Sequence, residues 1–193
     1  MAVGSAQCTG YGARRTAHGA LCGVILWVSA GIAGDAQTTN ARFIDLANDS
    51  ARQVIVDRED GQYLGHPTTV LLEDGRTIIA VYPKGHGAGG IVMKRSADGG
   101  RTWSGRLPVP DNWATSKEVP TIYRVIDPAG RRRLIVFSGL YPIRMASSED
   151  DGATWTPLSP IGNFGGIVAM ASLVRLADGR YMALFHEIGR AHV

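Results

Sequence analysis

Seven side chains able to bind or transform a ligand fall in four short segments rich in Gly and Pro. His66 lies in Tyr63–Thr69, Lys84 and His86 in Tyr82–Gly87, Lys117 and Glu118 in Thr115–Thr121, and Tyr141 and Arg144 in Ser138–Arg144. A cation in such a place can hold a carboxylate or another anionic group through charge-assisted hydrogen bonds. Imidazole and carboxyl groups can pass a proton near neutral pH. The catalytic candidates are therefore His66, His86 and Glu118, and the binding candidates are Lys84, Lys117, Tyr141 and Arg144. No spacing of His, Cys, Asp or Glu has the form of a metal site, so neither a metal nor a cofactor is expected.

What must position these residues is a series of short strands. From Arg52 onward, runs rich in Val, Ile, Leu, Thr and Tyr alternate with Asp-Gly, Gly-Gly or Pro signals, and no long helical period is present. Thr68–Leu72 and Arg76–Tyr82 flank the turn Glu73-Asp74-Gly75; Gly90–Arg95 reads as a third strand, and a fourth is expected from Trp103. A second set follows with Thr121–Ile126, Arg132–Ser138, Ile143–Ser147 and a strand from Trp155. A third set begins with Ile167–Leu176 and Arg180–His186, separated by Ala177-Asp178-Gly179. Repetition near 50 residues with four short strands per unit predicts an all-β protein of β-propeller architecture. In a propeller the seven candidates share one rim, because the segments that carry them lead into the innermost strands or join the second strands to the third. Asn163–Met170 is a fifth segment of this kind.

The repeat is sharpest in two octapeptides 52 residues apart, Ser96-Ala-Asp-Gly-Gly-Arg-Thr-Trp103 and Ser148-Glu-Asp-Asp-Gly-Ala-Thr-Trp155. They share the pattern S-x-D-x-G-x-T-W. Ser96 and Asp98, with Ser148 and Asp150, can accept hydrogen bonds from the N–H groups of a tight turn, while Gly100 and Gly152 supply positive φ. Trp103 and Trp155 can pack beneath their turns.

This octapeptide resembles the Asp-box, or bacterial neuraminidase repeat, of the sialidase superfamily, and the resemblance extends over Tyr63–His186. It implies a six-bladed propeller in the intact parent, with about two and a half blades here. It also implies that Asp98 and Asp150 are structural, since in that family the boxes lie in outer turns away from the active centre. The implied activity is a sialidase-like glycoside hydrolase that removes a terminal acidic or related sugar from a glycan. Family members hold their substrate with three arginines, of which the first opens an Arg-Ile-Pro motif, and use a Tyr–Glu nucleophile pair with an Asp acid/base. This sequence has Gly65-His66-Pro67 where that first arginine is expected and Lys84-Gly-His-Gly87 where the Asp is expected. The alternative is a non-catalytic propeller that binds carbohydrate or protein.

Composition bounds the rest. The chain has 193 residues, 45% of them hydrophobic, with 20 basic and 17 acidic side chains and no basic run beyond Arg131–Arg133. That excludes a disordered chain and gives no clustered basic face for nucleic acid. Residues 1–36 read as a signal peptide, with Arg14 and Arg15 before an apolar stretch at 20–33 and small residues for cleavage after Ala33 or Ala36. Export to the periplasm or exterior follows, with no membrane span once the leader is removed. Both cysteines, Cys8 and Cys22, lie in the leader, so the mature chain lacks disulfides, thiolate ligands and a cysteine nucleophile. A six-bladed ring needs about 300 residues. Residues 37–187 are therefore expected to be a partial propeller domain, inactive apart from its parent, and 188–193 a non-native tail. The partner expected is a glycan or glycoconjugate.

Overall fold

The computed structural model describes residues 44–86, 89–138, 142–164 and 168–187. The expected leader and tail lie outside them. The chain divides at Arg52 and Gln53 into two units. In the first, Arg52 N–H bonds to Asp49 O at 3.0 Å across a 3-10 turn, Ser50–Arg52, and the same two side chains form an ion pair at 3.1 Å.

The second unit is all-β. Sheet 1 holds β1 (Thr68–Leu71), β2 (Ile78–Pro83) and β3 (Ile91–Ser96); sheet 2 holds β4 (Thr121–Ile126), β5 (Arg132–Ser138), β6 (Arg144–Ser148) and β7 (Ser159–Pro160); sheet 3 pairs β8 (Val168–Arg175) with β9 (Tyr181–Glu187). Every pairing is antiparallel between sequence neighbours. Hairpins of this kind follow from β-branched runs broken by Asp-Gly turns. Asp74 accepts from Arg76 N–H and Thr77 N–H, and Asp127 from Ala129 N–H and Arg131 N–H.

The sheets pack through alternating faces. Val70, Ile79, Val81, Ile91 and Met93 of sheet 1 meet Ile122, Leu134, Val136 and Ala146 of sheet 2, with Trp113 and Leu158 completing the cluster. The opposite face of sheet 2 buries Ile135, Phe137 and Ile143 against Ala183, Leu173 and Phe185 on the sheet 3 side. Two outer faces are less covered: Leu71 is 47% exposed on sheet 1, and Val174, Met182 and Leu184 are exposed on sheet 3.

Two features bind the connections to this core. Asn112, in the 3-10 segment Asp111–Thr115, exchanges both amide bonds with the backbone of Leu158, at 2.9 and 3.0 Å. Thr68 Oγ1 donates to Pro120 O at 3.0 Å and accepts from Ile122 N–H at 3.2 Å, so β1 and β4 begin side by side.

Two expected strands do not form as read. The run after Trp103 is not a strand: Ser104 N–H and Leu107 N–H reach β3 carbonyls, but Pro108 and Pro110 have no N–H to continue a ladder. The run after Trp155 yields only β7, which starts at Ser159. Gln53–Pro67 likewise lacks a ladder strand, although its middle is tied to sheet 1 by side chains described below.

The octapeptides fold identically. Ser96 Oγ and Ser148 Oγ each accept from the glycine N–H four residues on at 2.8 Å and donate to the Asp Oδ1 two residues on at 2.8 Å. That Asp then takes the Thr N–H at 2.9 Å and the Thr hydroxyl at 2.7 Å in the first copy and 2.6 Å in the second. Each indole N–H closes on the glycine carbonyl. Gly152 also permits a close approach: a Cβ there would stand 2.6 Å from Ile79 Cδ1 of the neighbouring sheet. Ser148→Ala strands the buried Gly152 N–H and is expected to cost about 1–3 kcal/mol. Urea unfolding measures this, and a loss under about 0.5 kcal/mol would show that the turn does not need its serine.

Candidate functional site

The segment leading into β1 and the loop after β2 form a ring cluster. Leu64 pairs with Lys84 as an isolated antiparallel bridge, which sets the two stretches of backbone beside each other. The His66 and His86 rings then lie 4.8 Å apart at 55°, with Tyr63 at 6.1 Å from His66 and 5.8 Å from His86. All three side chains are exposed. Gly65 makes the arrangement possible, since a Cβ there would lie 2.4 Å from the folded-back Tyr63 ring.

Two candidates sit in left-handed backbone. His66 has φ +50° and Glu118 has φ +61°; apart from Asp151 in the second octapeptide turn, they are the non-glycine residues with positive φ among those described. Imidazole side chains tolerate this region better than a long carboxylate does. Glu118 therefore carries strain on the order of 1 kcal/mol. His66 is two residues before Thr68, and Glu118 two before Pro120, so the Thr68–Pro120 bond brings the two strained segments to one end of the sheets.

The other candidates are placed differently. Lys117 is exposed in the same segment as Glu118. Lys84 is not free, for its ammonium pairs with Glu59 at 3.0 Å. Tyr141 lies outside the described residues. Arg144 is buried instead of open to a ligand, at 9% exposure. Its guanidinium donates to Thr115 Oγ1 at 2.9 Å, Thr115 O at 3.1 Å and Ser138 Oγ at 3.5 Å, while Nε finds no partner among the described residues. Burial pushes the Arg144 pKa down. Arg144 thus clamps the Thr115–Glu118 segment to sheet 2, assisted by a buried Ser116–Ser138 hydroxyl pair at 3.0 Å.

Sequence reasoning missed the acidic stretch before the cluster. Asp57 accepts from Tyr82 OH at 2.6 Å and Arg106 Nε at 2.7 Å and lies 3.7 Å from Lys94 Nζ, which itself donates to Val56 O at 2.6 Å. Burial raises the Asp57 pKa, but the bonds from Tyr82, Arg106 and Arg58 N–H outweigh it and bring the group down to about 2. Burial and Asp57 together push the Tyr82 phenol up. The alternation V-I-V-D-R-E carried the signal, although its partners are 25 to 49 residues away.

Two grooves flank these elements. One, about 370 Å³, lies between Val54–Asp57 and sheet 1, against Leu64, Pro67 and Tyr82. The other, about 550 Å³, is lined by Val125, Ile135, Met145 and Tyr181, and neither groove is lined by any of the seven candidate residues. Among the described residues no group of His, Cys, Asp or Glu is arranged to hold a metal, and no helix is long and apolar enough to cross a membrane.

No protein-family model and no curated protein matches the chain. Among solved structures it is similar to the intramolecular trans-sialidase from Ruminococcus gnavus, crystallised with oseltamivir carboxylate. The identity is 18% and the TM-score 0.46, over 66% of this chain and 29% of that one. The chain thus spans less than a third of that enzyme's length.

Two outcomes follow from this geometry. Glu118→Gly relieves the strained φ and is expected to raise stability by about 0.5–1 kcal/mol in thermal unfolding. An unchanged or lowered midpoint would mean that Glu118 is held there without cost. Because the folded Asp57 pKa lies below the ordinary carboxylate value near 3.9, its contribution is complete above about pH 4 and is lost as pH falls toward 2. Asp57→Asn is expected to flatten the acid limb of the stability–pH curve.

Proposed function

We propose that this chain is part of an exported, sialidase-like β-propeller, and that its intact parent is an exo-acting glycoside hydrolase removing a terminal acidic or related sugar from glycans. The observation that carries the reading is the exposed Tyr63–His66–His86 cluster together with strained Glu118 on the adjoining lead-in segment. Strained non-glycine backbone is retained where surrounding structure over-determines it, and such places are commonly sites. In this reading the three sheets are two blades and the first half of a third, and the octapeptides are Asp-boxes that hold outer turns.

The roles follow from the chemistry of each group. His66, His86 or Glu118 transfers the proton at the glycosidic oxygen, Lys84 and Lys117 meet the anionic part of the sugar, and Arg144 positions the Glu118 segment from below. Tyr63 offers a ring face to the sugar's apolar side. The cluster's three exposed rings also favour a second reading, a carbohydrate-binding propeller without turnover, because stacking requires ring faces and no proton transfer.

The parent is expected to release the capping sugar from at least one member of a panel of terminally capped glycans, and His66→Ala to abolish release. Binding without release, lost in the same variant, selects the second reading. Full turnover by the His66→Ala variant would remove the histidine from the site.

A further inference from the structure

The rim already holds a carboxylate of its own. Glu59 places one oxygen 3.0 Å from Lys84 Nζ and the other 2.5 Å from Arg106 Nη1. The two cations arrive from different directions. Lys84 follows the end of β2 and is two residues before His86, whereas Arg106 comes from the run after the first octapeptide. A carboxylate with one oxygen on each of two cations is the arrangement that an external carboxylate would also need.

The contact is built to exchange. The Lys84, Glu59 and Arg106 side chains are 37%, 35% and 32% exposed, so water reaches all three and the pairing is worth little by itself. The segment that bears Glu59 is fastened independently, through Asp57 to Tyr82 and Arg106 and through Val56 O to Lys94. If Glu59 swings outward, Arg106 keeps Asp57 and the segment keeps its place. Lys84 and Arg106 would then each have a donor free for another carboxylate, near the ring cluster because the backbone of Lys84 pairs with Leu64, the neighbour of Tyr63.

We propose that Lys84 and Arg106 form a carboxylate-binding subsite at the edge of the ring cluster, and that Glu59 is a built-in competitor occupying it until an anionic ligand displaces it. The ligand class is a small carboxylate, in first place an acidic sugar. The choice of a sugar rests on the proposed glycan-binding role of the cluster; the subsite itself does not. Glu59 so placed sets a threshold, because a ligand must outbid a tethered carboxylate and neutral sugars gain nothing from doing so.

The test is calorimetric or NMR titration of the 193-residue chain with D-glucuronate, with D-glucose as its uncharged counterpart. Glu59→Gln removes the competitor and is expected to tighten glucuronate binding about two- to fivefold, the equivalent of one half-exposed ion pair, with glucose unaffected. Adding Lys84→Met to that variant is expected to remove the gain. Glucuronate binding no tighter in Glu59→Gln than in the parent chain overturns the proposal, and so does a gain that survives Lys84→Met. Should Glu59→Gln fail to fold, Glu59→Asp, whose shorter side chain cannot span both cations, is read by the same criteria. His66→Ala separates the two proposals: a glucuronate gain that persists with His66→Ala in the Glu59→Gln chain, while glycan release by the intact parent is unimpaired by His66→Ala, sinks the catalytic reading and leaves the subsite standing.

Discussion

The apolar seam between sheets 1 and 2 is the constraint on which the remaining geometry depends. Val81 and Val136 are fully buried in it, and Ile79 and Met93 are at 1% exposure, so neither sheet can slide without opening a cavity. Sheet 2 is buried on its second face as well, which is why β5 reads Leu134-Ile-Val-Phe137 without a polar break. With both sheets fixed, the ends of β1 and β4 fall within one hydrogen bond of each other at Thr68. The segments carrying His66 and Glu118 then have little choice of place. Their adjacency is thus a consequence of close packing between the sheets.

The cations show how burial divides labour among like charges. Arg144 is withdrawn from water and bonded to neutral oxygens, so it serves the backbone of a loop. Removing it would strip Thr115 of its donor while relieving a desolvated charge, and the balance of those terms decides its worth. Lys84 and Arg106 keep water on one side and meet carboxylates. Trp113 resembles Arg144 in one respect: its ring is wholly buried for contact with Trp155 at 5.3 Å, and its indole N–H is left unpaired among the described residues. In both places packing has prevailed over hydrogen-bond satisfaction.

Local patterns were legible from residues alone. β4 and β5 run over Thr121–Ile126 and Arg132–Ser138 as their β-branched composition predicts, and the octapeptide serines and aspartates do cap their turns. The ring pair His66–His86 was legible only as two residues on one rim; its separation depends on the Leu64–Lys84 bridge, which has no local signature. Arg144 was misplaced because an arginine at a strand start normally points to water, and only Thr115, 29 residues earlier, reveals the buried acceptor. The expected fourth strands failed for a different reason: proline counts for more in a ladder than the neighbouring Leu and Val do. Asp57 and Glu59 were overlooked because their meaning lies wholly in distant partners.

The octapeptide turns also bear on the order in which this chain acquires structure. The Ser, Asp and Thr bonds that shape each turn close within four residues. Such loops close in well under a microsecond, whereas contacts distant in sequence bear a larger entropy of closure. The Thr68–Pro120 bond spans 52 residues and so carries that larger cost. On a chain leaving the ribosome, the hairpins and their locked corners assemble first. The contact that sets the lead-in segments of β1 and β4 side by side is the costlier one to close.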